Sequence, residues 1–247
     1  MKLHHFRFTK AQLSLMPEAE RNLFILLAHA ANELNVLIKI FSFCSEHPAF
    51  TEVEKEARNA QAMTIGRLLT GKLYECWRLL KKDFFGAKLS QVYGPLLDSN
   101  ARASLNSLKK YFGRKNIIEA VRNRHAFHYS SSQVSRGFNS LTQEEPLNVY
   151  VAVANANTLY AFADIIAGCS LIEEICQEDS SQALNMLMIE TAEVLDAFNE
   201  VVGGCMMIML EKYIGGSLRA LESTEVDISV DSQCEPVTVP YFIDVER

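Results

Sequence analysis

The chain is poor in residues that interrupt regular structure, with 11 glycines and 6 prolines among 247 residues. A loop-rich β protein needs more turn residues than this, so the sequence favours long regular elements. Its six cysteines include no C-x-x-C pair, which argues against a zinc site. We interpret them as reduced thiols, because the first residues contain no apolar core of an export signal.

Long apolar runs are also scarce. The most apolar windows, residues 23–31 and 201–210, fall well short of the roughly 20 residues that a membrane helix needs. We therefore expect a cytoplasmic protein with no membrane partner. Hydrophobic residues nevertheless make up 49% of the chain, which is enough to bury a substantial core.

What the sequence does contain is helical periodicity, because apolar residues recur at spacings of three and four. A first long helix is expected over residues 18–45, directly after Pro17. A second, over residues 51–86, begins with Thr51 and Glu54 at the spacing of a capping box. Only a short link that contains a proline separates the two, so we predict an antiparallel helical hairpin.

Shorter elements follow the two long helices. Clusters of serine, asparagine, glycine and proline predict turns and loops, and the apolar spacings between them predict helices. We expect a turn at residues 90–95, a helix over 98–112, a helix that begins at Lys115 or Asn116, a loop over 130–139, and helices over 161–176 and 179–221.

One segment has the alternation of a strand rather than of a helix. Residues 147–153 are rich in β-branched side chains, and Asn155 and Asn157 can turn the chain back, so we predict a β-hairpin over 147–160. The expected fold is mainly α: an up-and-down helical bundle with long antiparallel helices and this small hairpin inserted after the helix at residue 116. We expect one domain over residues 1–223 and an acidic C-terminal tail over 224–247.

Charge is unevenly distributed along the chain. Residues 67–124 contain 13 lysines and arginines against 4 acidic residues, although the whole chain has a net charge of −6. A basic stretch in an acidic protein suggests a polyanionic partner. The alternative is that these side chains only solvate helix surfaces.

A second short pattern is interpreted as packing. Residues 66–72 match seven positions of the phosphate-binding loop G-x-x-x-x-G-K. Leu73 stands where the Mg²⁺-binding hydroxyl would be, and the segment lies inside a strong helical pattern. We interpret Gly66 and Gly71 as points where neighbouring elements approach a helix closely.

The densest group of chemically active residues lies at the end of the helix that begins near residue 116. Two histidines, two arginines and an asparagine fall within eight residues there. On an ideal helix His125 and His128 continue the apolar stripe of Val121, and Arg122 lies about 120° from His128. The histidines are then either core residues satisfied by hydrogen bonds or the point where the stripe opens into a ligand cleft.

Arg122-Asn123-x-x-x-x-His128 resembles the Arg–polar–spacer–His signature of the HEPN superfamily. Members of that superfamily are helical, with a core of four or five helices, and frequently dimerise. The resemblance covers about residues 17–220. Many members cleave RNA without a metal, others are inactive binding or regulatory modules, and some branches belong to toxin–antitoxin or phage-defence systems. The dipeptide His128-Tyr129 departs from the His-x-Tyr of some toxin branches.

The resemblance implies a role for each residue of the motif. His128 would transfer protons, Arg122 would bind the scissile phosphate, and Asn123 would orient one of them. It implies no metal and no cofactor, and it implies RNA, a second copy of the chain and an antitoxin or other partner protein as binding partners. The residues expected to contact RNA are Arg124, His125, Tyr129, Arg114 and Lys115.

Three functions therefore fit the sequence. The first is a HEPN-like dimer that binds RNA and cleaves it without a metal. The second is a catalytically inactive helical dimer that serves as a binding or regulatory module. The third is a nucleotide-binding or regulatory module paired with a separate enzyme.

Overall fold

A computed structural model of the chain is mainly helical, which confirms the predicted fold class at that level. The structure describes residues 2–45, 51–176, 180–215, 224–227 and 239–244. Several predictions fall outside the described residues: the domain boundary at residue 223 and most of the tail over 224–247. The link that contains Pro48 also lies outside them, as do Asp179 and Cys234.

Helices dominate the described residues, and a π-helical turn directly follows three of them. The helices are α1 (Lys10–Leu13), α2 (Glu18–Ser45), α3 (Glu52–Leu79), α4 (Leu89–Tyr93), α5 (Ser99–Phe112), α6 (Ile117–Val121), α7 (Ser131–Ser140), α8 (Ala161–Ile175) and α9 (Ser180–Leu210). The π-helical turns are Leu80–Gly86, Arg122–Ala126 and Glu211–Gly215, and strands β1 (Lys2–His5) and β2 (Thr224–Asp227) pair antiparallel.

The predicted helix starts are confirmed by their capping contacts. Thr51 N–H donates to Glu54 Oε2 at 3.0 Å, and Glu54 N–H donates to Thr51 Oγ1 at 3.3 Å, which completes the capping box. A backbone N–H of α5 donates to Asp98 Oδ1 at 2.8 Å, and one of α6 donates to Asn116 Oδ1 at 2.8 Å. These contacts fix the starts of α3, α5 and α6.

Two predicted irregular segments are helical instead. Residues 90–95, predicted as a turn, belong to α4 and to a 3₁₀ turn at Gly94–Leu96, because burial of Tyr93 outweighs the local turn signal. Residues 130–139, predicted as a loop, form most of α7. Gly137 does not break this helix, because it lies against the backbone of α8.

The predicted β-hairpin over residues 147–160 is wrong as a pair of regular strands. Only Tyr150 and Leu159 form an antiparallel bridge, each donating its N–H to the other's carbonyl at 2.8 Å. The ladder stops there because the next donor, Ala152 N–H, finds Thr158 Oγ1 at 3.2 Å. A 3₁₀ turn at Asn155–Asn157 reverses the chain.

Contacts divide the chain into two compact units. The first contains residues 1–33, 75–114 and 194–235, and the second contains 34–74, 115–193 and 236–247. In the first unit the Trp77 and Phe112 rings stack with centroids 4.9 Å apart. Its fully buried side chains include Leu23, Leu80, Phe84, Tyr93, Leu108, Phe198 and Val201.

A carboxylate also ties the first unit together. Glu20 accepts hydrogen bonds from Tyr93, from Tyr213 Oη at 2.7 Å and from Lys212 Nζ at 3.2 Å. Burial and this carboxylate raise the pKa of Tyr93 well above its usual range, so its hydroxyl remains a donor. The contacts attach the turn after α9 to the start of α2.

In the second unit α7 lies directly on α8. Ser170 Oγ donates to Gln133 Oε1 at 2.8 Å across this contact. One apolar cluster contains Val121, Leu171 and Leu187, with Met63 packed against it. Another contains Ala57, Ala60, Leu159 and Ala161, with Tyr150, Tyr241 and Phe242 packed against it.

Helix α2 is more apolar along its length than its short windows suggest. Its stretch Glu18–Cys44 is long and apolar enough to cross a membrane by length and composition, with 28% of the most apolar window buried. Core helices of soluble proteins and signal sequences pass the same test. The absence of a membrane partner therefore stays a prediction.

Candidate functional site

The motif does not continue as a regular helix. Helix α6 ends at Val121, a π-helical turn occupies Arg122–Ala126, and the chain leaves the helix at Phe127. Because the predicted stripe assumed 3.6 residues per turn through His128, it fails beyond His125. The expectation that both histidines face the core is therefore correct for His125 and wrong for His128, which is exposed.

Gly71 allows the end of the motif to pack closely against helix α3. A Cβ on Gly71 would lie 2.8 Å from Ala126 Cβ and 2.7 Å from Phe127 Cε2. A Cβ on Gly66 would meet a ring carbon of Phe41 at 3.2 Å. Residues 66–72 lie inside α3, so the interpretation of these glycines as packing positions is confirmed.

The inner half of the motif is held by Glu174 of α8. His125 Nε2 lies 2.9 Å from Glu174 Oε2, and Arg124 donates to Glu174 Oε1. The side chains of His125 and Glu174 are 5% and 10% exposed, whereas that of Arg124 is 52% exposed. His125, expected among the RNA contacts, is thus turned inward, while Arg124 still reaches the surface.

Burial determines the charge state of His125. Desolvation lowers its pKa below the usual value, the contact with Glu174 opposes this, and the cations Arg67 and Arg124 lower it further. Because its pKa is lowered, His125 is neutral near pH 7. Arg67 itself lies 3.9 Å from Asp164, whose pKa is raised by burial.

The outer half of the motif makes contacts that the sequence did not indicate. The Arg122 guanidinium lies 5.7 Å from the centre of the Tyr74 ring, and its Nη1 donates to Asn123 Oδ1 at 3.0 Å. Tyr74 in turn donates its hydroxyl to Glu119 Oε1 at 2.8 Å. Tyr74 lies on α3, and sequence spacing alone cannot pair it with a residue 48 positions later.

The remaining predicted residues lie at the surface. His128 makes no hydrogen bond or ion pair in the part of the chain that the structure describes, and Tyr129 is fully exposed. Lys115 is exposed in the second unit, and Arg114 is exposed in the first. Asn123 and His128 are exposed and Arg122 is half-buried.

The described residues include no group of three or more His, Cys, Asp or Glu side chains placed to hold a metal ion. No family model, curated protein or solved structure matches this chain.

The buried histidine makes stability depend on pH. The folded-state pKa of His125 lies below its ordinary value of about 6.5, so the unfolded chain binds more protons between those two values. We expect the unfolding free energy to fall as pH is lowered from about 6.5 toward the folded-state pKa, by at most about 1.4 kcal/mol per pH unit for one proton. Chemical denaturation at several pH values measures this slope.

His125→Gln should flatten the slope, because glutamine does not titrate. The matched control is His29→Gln, since the side chain of His29 is 68% exposed and should leave the slope unchanged. An unchanged slope in His125→Gln would contradict the assignment of the pH dependence to this buried imidazole.

Proposed function

We propose that the chain is a HEPN-like RNA-binding protein that cleaves RNA without a metal ion, with Arg122, Asn123 and His128 as its catalytic residues. One observation carries the proposal: an exposed imidazole lies six residues after a guanidinium placed over the Tyr74 ring, while the side chain of His125 is turned inward onto Glu174. In the same proposal the long helices form an up-and-down antiparallel bundle.

The division of the motif suggests which histidine acts. A general base must reach the proton that it removes, and the side chain of His125 is almost fully buried. His128 is at the surface and makes no described contact that would hold it away from a ligand. We therefore assign proton transfer to His128, and to His125 the role of anchoring the motif on Glu174.

The proposed reaction uses the ribose 2′-hydroxyl of the substrate. His128 accepts the 2′-hydroxyl proton while the 2′ oxygen bonds to phosphorus and the bond from phosphorus to the 5′ oxygen breaks. The protonated His128 then returns this proton through water to the 5′ oxygen, which leaves a 2′,3′-cyclic phosphate and a 5′-hydroxyl. Arg122 stabilises the charge on the phosphate oxygens, and its cation–π contact with the Tyr74 ring helps to position the guanidinium.

The surrounding surface would supply the other RNA contacts. Lys115 and Arg124, whose side chain is 52% exposed beside Glu174, would bind neighbouring phosphates, and exposed Tyr129 would stack on a base. A homodimer, an antitoxin or other partner protein, a role in phage defence and a cytoplasmic location belong to the same proposal. A catalytically inactive binding module is the alternative.

The test uses the full chain, a labelled single-stranded RNA and a chelator, with binding followed over a series of salt concentrations. Arg122→Gln should lower the slope of log K against log salt by about 0.7, the value for one lost phosphate contact on a single strand. It should also reduce cleavage. Arg136→Gln removes the same charge from the exposed surface of α7 and should change neither.

The outcomes separate the candidate functions. Cleavage products that end in a 2′,3′-cyclic phosphate, formed in chelator, support the ribonuclease. Binding without cleavage at any pH favours the inactive module. No binding of RNA at low salt contradicts the RNA-binding proposal and leaves the inactive module as the better account.

A further inference from the structure

Residues 147–154 form a segment whose side chains alternate between two environments. Asn148, Tyr150 and Ala152 are half-buried, and Asn148 Nδ2 donates to Glu56 Oε1 at 2.8 Å. A period of two is that of an extended strand with one face turned to solvent. The exposed positions are Leu147, Val149, Val151 and Val153, at 44%, 46%, 80% and 91%.

The backbone of the same segment is paired on one edge only. Tyr150 exchanges both of its hydrogen bonds with Leu159, and Ala152 N–H donates to a threonine hydroxyl. Since successive residues of a strand direct their N–H and C=O groups to opposite edges, Val149 and Val151 present theirs to the other edge. In the described part of the chain these two residues make no backbone hydrogen bond.

This open edge lacks the usual protection against pairing. Edge strands are commonly guarded by charged side chains, and especially by lysine. No charged residue occurs between Pro146 and Ala163. A row of exposed valines beside unpaired backbone groups is therefore suited to accept a strand, and it favours an apolar, uncharged one, because the edge offers valine side chains and no counter-charge.

We propose that this edge, residues 147–153, pairs antiparallel with the same edge of a second copy of the chain. An antiparallel pair about a two-fold axis is its own complement, so one neutral valine-rich edge supplies both halves. The exposed valines of the two copies then lie beside each other across the strands, and cross-strand pairs of β-branched residues are favourable. The single Tyr150–Leu159 bridge becomes part of a four-stranded ladder.

The proposal gives an interface to the homodimer proposed above, but it does not depend on RNA binding. Its failure would remove this interface and leave the RNA-cleavage test unaffected. Its first test is the mass of the full chain in solution, measured by sedimentation over a range of concentrations. We expect a dimer, and we expect Val151→Lys to raise the dimer Kd by about 100-fold, because it places like charges next to each other across the axis. Val134→Lys is the control, since Val134 is 52% exposed on α7.

A cross-link provides a second measurement that does not disturb the charge. Val151→Cys should give a disulfide-linked dimer under mild oxidation, whereas Val134→Cys should give no more than the unsubstituted chain does. Hydrogen exchange at the Val149 and Val151 amides should slow as the protein concentration rises. The proposal is overturned by a monomer at all concentrations, or by a dimer that survives Val151→Lys and is not linked through Cys at position 151.

Discussion

Replacing His128 with alanine is expected to lower the rate of RNA cleavage by about 10²–10⁴-fold, the usual contribution of a positioned proton-transfer group. The fold should survive the change. His128 is exposed and makes no described hydrogen bond or ion pair, so its removal leaves no buried group without a partner. Single-turnover cleavage in chelator measures the rate, and thermal unfolding of the same sample measures the stability.

The control for this prediction is His29→Ala, because His29 is an exposed histidine on α2, where no motif residue lies. It should cleave at the rate of the unchanged protein. If His128→Ala also cleaves at that rate, His128 is not the catalytic group. If it loses stability instead, the residue is structural, and the inactive dimer becomes the better account of the motif.

The comparison between His125 and His128 shows why spacing alone misassigned one of them. The helical wheel correctly placed His125 beside the apolar stripe that contains buried Val121. It failed three residues later, because the π-helical turn changes the rotation per residue and the helix then ends. That turn forms where Gly71 of α3 meets the side chains of Ala126 and Phe127, a contact between distant positions that no local pattern contains.

Helix starts were predicted better than the segments between helices, for a physical reason. A cap is a local contact over three residues, as for Thr51 with Glu54, so its sequence signature is nearly sufficient. The α7 segment is the opposite case, because its serines and Gly137 have weak helix propensity. Tertiary packing of that glycine on α8 determines its conformation.

The candidate site likewise has one part that the local sequence indicates and another part that only the fold supplies. Arg122, Asn123 and His128 could be named from their spacing, because the motif is contiguous in sequence. Glu174 and Tyr74, which hold its inner and outer halves, come from α8 and α3 and reach the motif only through the fold. A sequence can therefore suggest the reacting groups while leaving their support unidentified.

Gly137→Ala is expected to destabilise the protein by about 3 kcal/mol or more, the upper range for overpacking a closely packed contact. A Cβ at this position would lie 2.0 Å from the backbone oxygen of Ile166 and 3.1 Å from the backbone N of Ser170. Neither atom belongs to a flexible side chain, so α7 would have to move off α8. At 2–4 °C per kcal/mol, the loss corresponds to a fall in Tm of about 6–12 °C or more.

The glycine pair in α9 provides matched controls with opposite expected signs. Gly203 has open space where a Cβ would lie, so Gly203→Ala should stabilise the protein by about 0.5–1 kcal/mol through helix propensity. A Cβ on Gly204 would meet Ala101 Cβ at 2.7 Å, so Gly204→Ala should destabilise it. If Gly137→Ala behaved like Gly203→Ala, propensity alone would govern α7. The backbone contact with α8 would then not be what holds this glycine in a helix.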